Sequence, residues 1–359
     1  MKRLRTDYQV GSEDKGDVEF TGQRIRWNQT SIVLDQSKNI EELSEIQLDK
    51  SLKDSASCSP QLHTEYRSVL GALNWLQSRT QYGAAYKFSR AASAAAAPTI
   101  ADCKNLNKIV RTIRAQPQTL RFWPLKGKLR LIGYPDASFK NNEDHSSQRG
   151  QCIFIAESRK TFLDGVRAGG RKQLLPNENP NARGSMIDYE STKIKRTTLS
   201  TTVAELYSFM KCYGTCLYLK GLWQDMTGEP VELHMRTDAH NLVTTASTTH
   251  LPEQKETIHM IQMLRKESNS GRIDDLAHVV TADCLSDCLT KHSAKPDNLI
   301  KAVDTGVIPN VDSHPPFRTL LQHKAYITQW TYNNLEHPQL IINICDEEIH
   351  ETHLASLHD

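Results

Sequence analysis

Leu129-Arg-Leu-Ile-Gly-Tyr-Pro-Asp-Ala-Ser138 sets an apolar, β-rich run directly against a carboxylate. Read as a strand over Leu129–Tyr134, it leaves Asp136 at the strand end among small and apolar neighbours. A second β-rich run, Gln151-Cys-Ile-Phe-Ile155, follows a charged, turn-forming stretch from Lys140 to Gly150, so the two form a long hairpin. Thr197-Thr-Leu-Ser200 reads as the end of a third strand. Residues 163–186, rich in Gly, Asn, Pro and Arg without periodicity, read as an exposed insertion.

Downstream, Val203, Leu206, Tyr207, Met210, Tyr213, Leu217, Leu222 and Trp223 recur at helical spacing. They predict a helix from Thr201 to about Met226, with Ser200 or Thr201 as N-cap and Gly228 as the stop. Val231–Thr237 alternates as a strand. His240–Ser247 and Glu253–Glu267 read as helices, Ile273–Val280 as the last strand and Leu285–Thr290 as the last helix. The order β-β-β-α-β-α-α-β-α implies an α/β fold: one mixed five-stranded sheet with flanking helices, in about 170 residues.

Upstream, Phe20–Trp27 and Ser31–Leu34 read as a hairpin, and residues 37–62 as a loosely packed linker. Helices are expected over Glu65–Gln77, Gly83–Ala97 and Ile100–Ala115; the alanine run 91–97 is taken as a helix end stopped by Pro98. This makes an α-rich unit whose boundary is residues 116–127. Beyond about residue 310 no fold is assigned.

Across 359 residues, 44 Lys+Arg against 42 Asp+Glu leave a net charge of +2, so no global field marks a nucleic-acid binder and any such function rests on local patches. No stretch reaches the roughly 18 apolar residues of a membrane span, no secretory leader is visible, and mean hydropathy is −0.55. Eight cysteines read as reduced thiols of an intracellular protein. The pairs Cys212/Cys216 and Cys284/Cys288 are taken as helical core residues, because their spacing departs from the usual zinc-ligand patterns.

Four acidic residues fall at comparable places: Asp136 and Asp238 at strand ends, Glu205 in the first turns of the long helix, Asp287 in the last helix. Carboxylates among apolar neighbours are costly unless paired or bound to a cation. Four hard oxygen donors from separate elements suit Mg²⁺, and two such ions can activate water and stabilise a leaving oxygen. Spacing alone does not separate this quartet from four ordinary acidic residues. His234 and His240 flank Asp238 and read as strand-end histidines, and His292 as a surface one.

The surrounding words decide more. Gly133-Tyr-Pro-Asp-Ala-Ser138, Leu199-Ser-Thr-Thr-Val-Ala-Glu-Leu206, Arg236-Thr-Asp-Ala-His-Asn241 and Asp283-Cys-Leu-Ser-Asp-Cys-Leu-Thr-Lys291 occur in this order. Together they resemble the ribonuclease H domain that ends the Pol polyprotein of copia-type LTR retrotransposons. Lys255–Arg265 and Gly271–Asp283 extend the likeness. Tyr66–Trp75, with Ser78 to Arg90, is similar to the segment joining reverse transcriptase to ribonuclease H, and Phe20-Thr-Gly22 to the end of the polymerase palm. In all, about residues 17–305 are covered.

The resemblance implies a ribonuclease H-like sheet at 128–305, an α-rich polymerase thumb/connection remnant at 63–127, the end of the palm and a linker at 1–62, and a tail of unknown fold at 306–359. It implies Asp136, Glu205, Asp238 and Asp287 as catalytic, metal-binding carboxylates for two Mg²⁺ ions, with Mn²⁺ as the alternative, and an RNA–DNA hybrid as substrate. The remainder of a Pol polyprotein is the implied partner, and a cytoplasmic particle or the nucleus the implied location.

Pro135, Phe139 and Ala239-His240 depart from the family words, and the loop Thr281–Ser286 lacks the histidine that many ribonucleases H place there. The paired aspartates of a polymerase are absent, so reverse transcription by this chain alone is not expected. For nucleic acid, Arg121, Lys126 and Lys128, with Arg111, Arg114 and Arg130 around Phe122 and Trp123, suit phosphate contact and base stacking; a solvated linker is the competing reading. Lys193 and Lys195, beside Arg196, form a second cluster. The rival functions are a non-catalytic hybrid-binding remnant and an integrase-type nuclease, the latter disfavoured because its acidic series ends in Glu.

Overall fold

The computed structural model describes residues 16–158, 179–247 and 254–312. β1 (Val18–Phe20), β2 (Gln23–Trp27) and β3 (Ile32–Asp35) form an antiparallel meander, the last two being the expected hairpin. Asn28 Oδ1 closes its turn by accepting from the Thr30 and Ser31 amides at 2.9 and 2.7 Å. Four helices follow: α1 (Ser37–Glu42), α2 (Pro60–Gln77), α3 (Ala85–Ser93) and α4 (Ile100–Ala115). α4 starts at a reciprocal capping box between Thr99 and Asp102. Leu73, Leu76, Leu106, Val110 and Ile113 supply the core of this layer.

Three expectations differ from the structure here. Residues 37–62 are not a loose linker, because they contain α1 and bury Ile40, Leu43 and Ile46 in this core. α3 ends at Ser93 rather than at Ala97, and the run tightens into turns in which the Ala94 amide donates to Ala91 O at 3.1 Å and the Ala97 amide to Ala94 O at 3.2 Å. Side chains of α2 hold the carbonyls of this run: Tyr66 Oη donates to Ala91 O at 2.7 Å, and His63 Nε2 lies 2.9 Å from Ala95 O. Residues 116–127 are not a bare boundary, because β4 (Leu120–Phe122) pairs with β3 and completes a four-stranded antiparallel sheet. The unit before residue 128 is therefore helical on one side and a sheet on the other.

The second sheet comprises β5 (Leu129–Ser138), β6 (Gln148–Glu157), β7 (Ala182–Lys193), β8 (Glu232–Thr237), β9 (Asp275–His278) and β10 (Val307–Ile308), in the order β10-β7-β6-β5-β8-β9. β5, β6 and β7 are antiparallel, while β8 and β9 continue parallel to β5. This is the mixed α/β sheet with flanking helices expected from the sequence, with a two-residue sixth strand on the β7 edge beyond the five expected.

The long helix α5 (Thr201–Thr227) packs on β5 and β6 and stops at Gly228, which takes the left-handed conformation. Gly133 lets it come close: a Cβ there would stand 2.9 Å from Cys216 Sγ and 3.0 Å from Cys212 Sγ, so both thiols are core, as expected. α6 (His240–Ser247) and α7 (Ile258–Asn269) add to this face, and α8 (Asp297–Thr305) covers the other with Tyr82, Tyr134 and Phe154.

β7 starts inside the stretch expected as an insertion and ends before Thr197–Ser200, which instead leads into the α5 cap; most of the insertion (163–178) lies outside the described residues. Polar cross-strand pairs hold the outer half of β7, Arg149 with Glu190 at 3.0 Å and Gln148 with Ser191 at 2.9 Å, so it lacks an apolar period. The expected last helix is a single 3₁₀ turn, Asp287–Leu289, and α8 follows it. The tail from 313 lies outside the described residues. No described helix is long and apolar enough to cross a membrane.

Candidate active site

Asp136 lies within β5 rather than beyond its end, and its side chain is fully buried. Its register partner on β6 is Gly150. A Cβ at Gly150 would stand 2.8 Å from both Leu289 Cβ and Thr290 Cγ2, so only glycine lets the segment after Asp287 lie on the strand pair. That approach delivers two groups. The Thr290 hydroxyl donates to Asp136 Oδ2, Lys291 Nζ comes within 3.7 Å of the same oxygen, and Lys291 also pairs with Asp287 Oδ1. Ser138 Oγ fixes the segment by donating to Thr290 O at 2.9 Å.

Glu205 stands one turn into α5, whose first turn is held by Ser200 Oγ accepting from the Val203 amide at 3.2 Å, and it is nearly buried. Ser208 on the same helix donates to Asp136 O at 2.7 Å, locking helix to strand. Asp238 follows the last residue of β8, the parallel neighbour of β5, and is half-buried. Carboxylate oxygens of Asp136 and Asp238 and the sulfur of Cys284 all lie within 4.8 Å of one another. Thus Asp136, Glu205 and Asp238 share one electrostatic site, and Asp287 joins it through Lys291. Cys284 was read as core; it is buried, yet it borders the carboxylates. Its place in the same short word as Asp287 was the available signal.

Burial pushes the Asp136 carboxyl up to about 7; Lys291 and the Thr290 hydroxyl oppose the shift, while Asp238 and Asp287 add to it. Burial likewise drives Glu205 up to about 9, helped by the charges of Asp136 and Asp238. Burial works against the Lys291 ammonium, but Asp136 and Asp287 outweigh it and hold its pKa above the usual lysine value. Asp136 Oδ1 has no hydrogen-bond partner despite its burial. An orphaned buried carboxylate oxygen beside further carboxylates, with one lysine between them, fits a divalent cation held by hard oxygen donors.

No family model and no curated protein matches the sequence. Among solved structures, the chain is similar to ribonuclease H1 of the archaeon Halobacterium salinarum, with 12% identity, 45% of this chain and 94% of that chain covered, and a TM-score of 0.29. The LC11 ribonuclease H1 in complex with an RNA/DNA hybrid gives 17% identity, 47% and 99% coverage and a TM-score of 0.28. The N-terminal ribonuclease H domain of Rv2228c from Mycobacterium tuberculosis gives 10%, 50% and 98%, and 0.29.

The basic residues divide by position. Lys126 and Lys128 are exposed but stand at the opposite end of β5 from Asp136, about 26 Å away for Lys128 at the rise of a strand. Arg121 lies over the Trp123 ring at 5.4 Å, and Trp123 Nε1 donates to Val303 O at 3.1 Å, so this tryptophan is used inside the fold. Arg130 is buried on Asp312, Arg111 pairs with Glu45, and Arg114 bonds Leu43 O. Lys193 is in register with Gln148, itself opposite Ser138, which puts Lys193 and the exposed Lys195 at the carboxylate end. Lys193 pairs there with Asp144.

His234 is not a strand-end histidine: it is fully buried, with Nδ1 3.4 Å from both Arg130 and Arg236, and burial and those cations hold it well below the usual imidazole pKa. His240 and His278 meet edge to face at 5.3 Å. His292, next to Lys291, lines a cavity of about 770 Å³ together with Lys87, Arg90 and Lys108 from α3 and α4.

Proposed function

We propose that this protein is a metal-dependent endonuclease that hydrolyses the RNA strand of RNA–DNA hybrids, as a C-terminal piece of a copia-type Pol polyprotein. The observation that carries this reading is the gathering of Glu205 and Asp238 around the buried Asp136, one of whose oxygens has no hydrogen-bond partner. Asp136, Glu205, Asp238 and Asp287 would hold the cations. When bound, Mg²⁺ or Mn²⁺ supplies Lewis-acid stabilisation of phosphoryl oxygens and a more acidic water. The chain's own groups do the rest: Thr290 and Ser208 fix the Asp136 carboxylate and backbone, and Lys291 balances charge between Asp136 and Asp287. Lys193 and Lys195 supply phosphate contacts at this end of the sheet, with Lys126, Lys128 and Arg121 as a distant second set. RNA is told from DNA by its 2′-OH and wide minor groove. In this reading residues 128–305 are the nuclease and the preceding residues the end of the polymerase and its connection.

One observation favours a hybrid-binding remnant without activity: Lys291 already pairs with Asp287 and approaches Asp136 from within the chain. Cleavage of an end-labelled hybrid with Mg²⁺ or Mn²⁺ separates the two. The nuclease reading expects cleavage that chelator abolishes and that the double variant Asp136→Asn, Asp238→Asn loses. No cleavage by the wild type leaves the remnant reading standing, and equal cleavage by the double variant overturns the nuclease reading at these carboxylates.

A further inference from the structure

A quartet of carboxylates is hard throughout, but this centre has a sulfur in it. We propose that Asp136, Asp238 and Cys284 form a mixed oxygen and sulfur site that takes a thiophilic divalent cation, Cd²⁺ or Zn²⁺, in competition with Mg²⁺. The inference rests on the reading of this centre as a cation site, and not on its cleaving a hybrid.

Two independent features support it. The first is geometric: carboxylate oxygens of both aspartates and Cys284 Sγ lie within 4.8 Å of one another, a spacing one cation can bridge. The second is the unpartnered Oδ1 of Asp136: the fully buried carboxylate of that triangle carries a polar atom without a hydrogen bond. The 3₁₀ turn Thr281–Asp283 sets Cys284 at its end, and the thiol is buried with Ser286 Oγ at 3.4 Å. Cys288, four residues on, is excluded: its sulfur instead meets Leu285 O at 3.7 Å.

Thiolate donors favour zinc-like cations, whereas carboxylate and water favour Mg²⁺. On binding, the Cys284 S–H bond breaks, a sulfur–metal bond forms and the proton leaves to the buffer, with no change of oxidation state. Mg²⁺ gains little from the neutral thiol and stays on the oxygens. The same centre therefore ranks cations differently from an all-carboxylate one, and Cd²⁺ or Zn²⁺ displaces Mg²⁺ from it.

The test is a Cd²⁺ titration of the full chain, read by ultraviolet sulfur-to-cadmium absorption and by cadmium NMR. The expected result is a site with one sulfur donor. Cys284→Ser should remove the absorption and weaken Cd²⁺ binding by at least the roughly 10–100-fold that loss of an outer-sphere partner costs. Asp136→Asn should weaken it as well, while Cys288→Ser should keep it. Absorption that survives Cys284→Ser, or a wild-type cadmium resonance with oxygen donors alone, overturns the proposal; the NMR reading needs no variant to fold. Hybrid cleavage with Mg²⁺ is scored separately. Cleavage without a Cys284-dependent signal sinks this inference alone, and the signal without cleavage sinks only the nuclease reading.

Discussion

Glu205 resists ionisation because it is buried beside two other acids, and this has a signed consequence for stability. Its folded value, about 9, lies above the ordinary 4.5, so the folded protein keeps a proton that the unfolded chain releases. The stability this carboxyl contributes is whole below about pH 4.5 and is lost as pH rises toward about 9. Glu205→Gln carries no such proton. Without metal, the unfolding free energy of wild type minus that of Glu205→Gln should fall across this window in urea titrations, and Mg²⁺ should reverse the fall at the alkaline end. A flat difference would mean that the carboxylate is solvated. Gly150 makes a separate demand: alanine there drives a Cβ to 2.8 Å from Leu289 and Thr290. Gly150→Ala should cost about 1–3 kcal/mol in urea unfolding and lower hybrid cleavage, since Thr290 must withdraw from Asp136.

The elements that carry the site differ in how far their sequence announces them. α4 and α5 are legible because long apolar spacing and a side-chain cap coincide: Thr99 before α4, Ser200 before α5. Ser200→Ala should therefore cost about 1 kcal/mol in chemical unfolding, with the loss felt at Glu205 one turn on. β4 and β10 have three and two residues, too few to show a period, and their existence depends on a distant partner strand. β7 hides behind polar pairs, and the alanine run loses its helix to side chains of α2. At the candidate site, the four carboxylates stand at or near element ends, but position alone does not set them apart from ordinary acidic residues; the resemblance of the surrounding words does. The contacts of Thr290 and Lys291 with Asp136 could not be read, because they depend on the close approach that Gly150 permits, a property of two strands and a turn together.

At the scale of the molecule, the second sheet buries one charge that its own strands do not pair. Arg130 on β5 and Arg236 on β8 are each 1% exposed. Arg236 is neutralised within the sheet by Asp275 on β9 at 2.6 Å, but Arg130 takes both oxygens of Asp312, at 2.6 and 2.8 Å, from the segment after β10. Arg236 Nε also donates to Val311 O at 2.9 Å, so the same segment serves both guanidinium groups. His234 between them stays neutral, because burial and the two guanidinium groups outweigh the Glu232 and Asp275 carboxylates 3.5 Å from its ring. Removing the carboxylate leaves a buried guanidinium unpaired, which costs far more than the pair itself is worth. Asp312→Ala should thus lose about 3–5 kcal/mol in urea unfolding, while Arg130→Met with Asp312→Leu should recover most of it, since an apolar pair replaces both charges. A single-variant loss below about 1 kcal/mol would show that residues 307–312 are an appendage rather than the piece that closes the sheet.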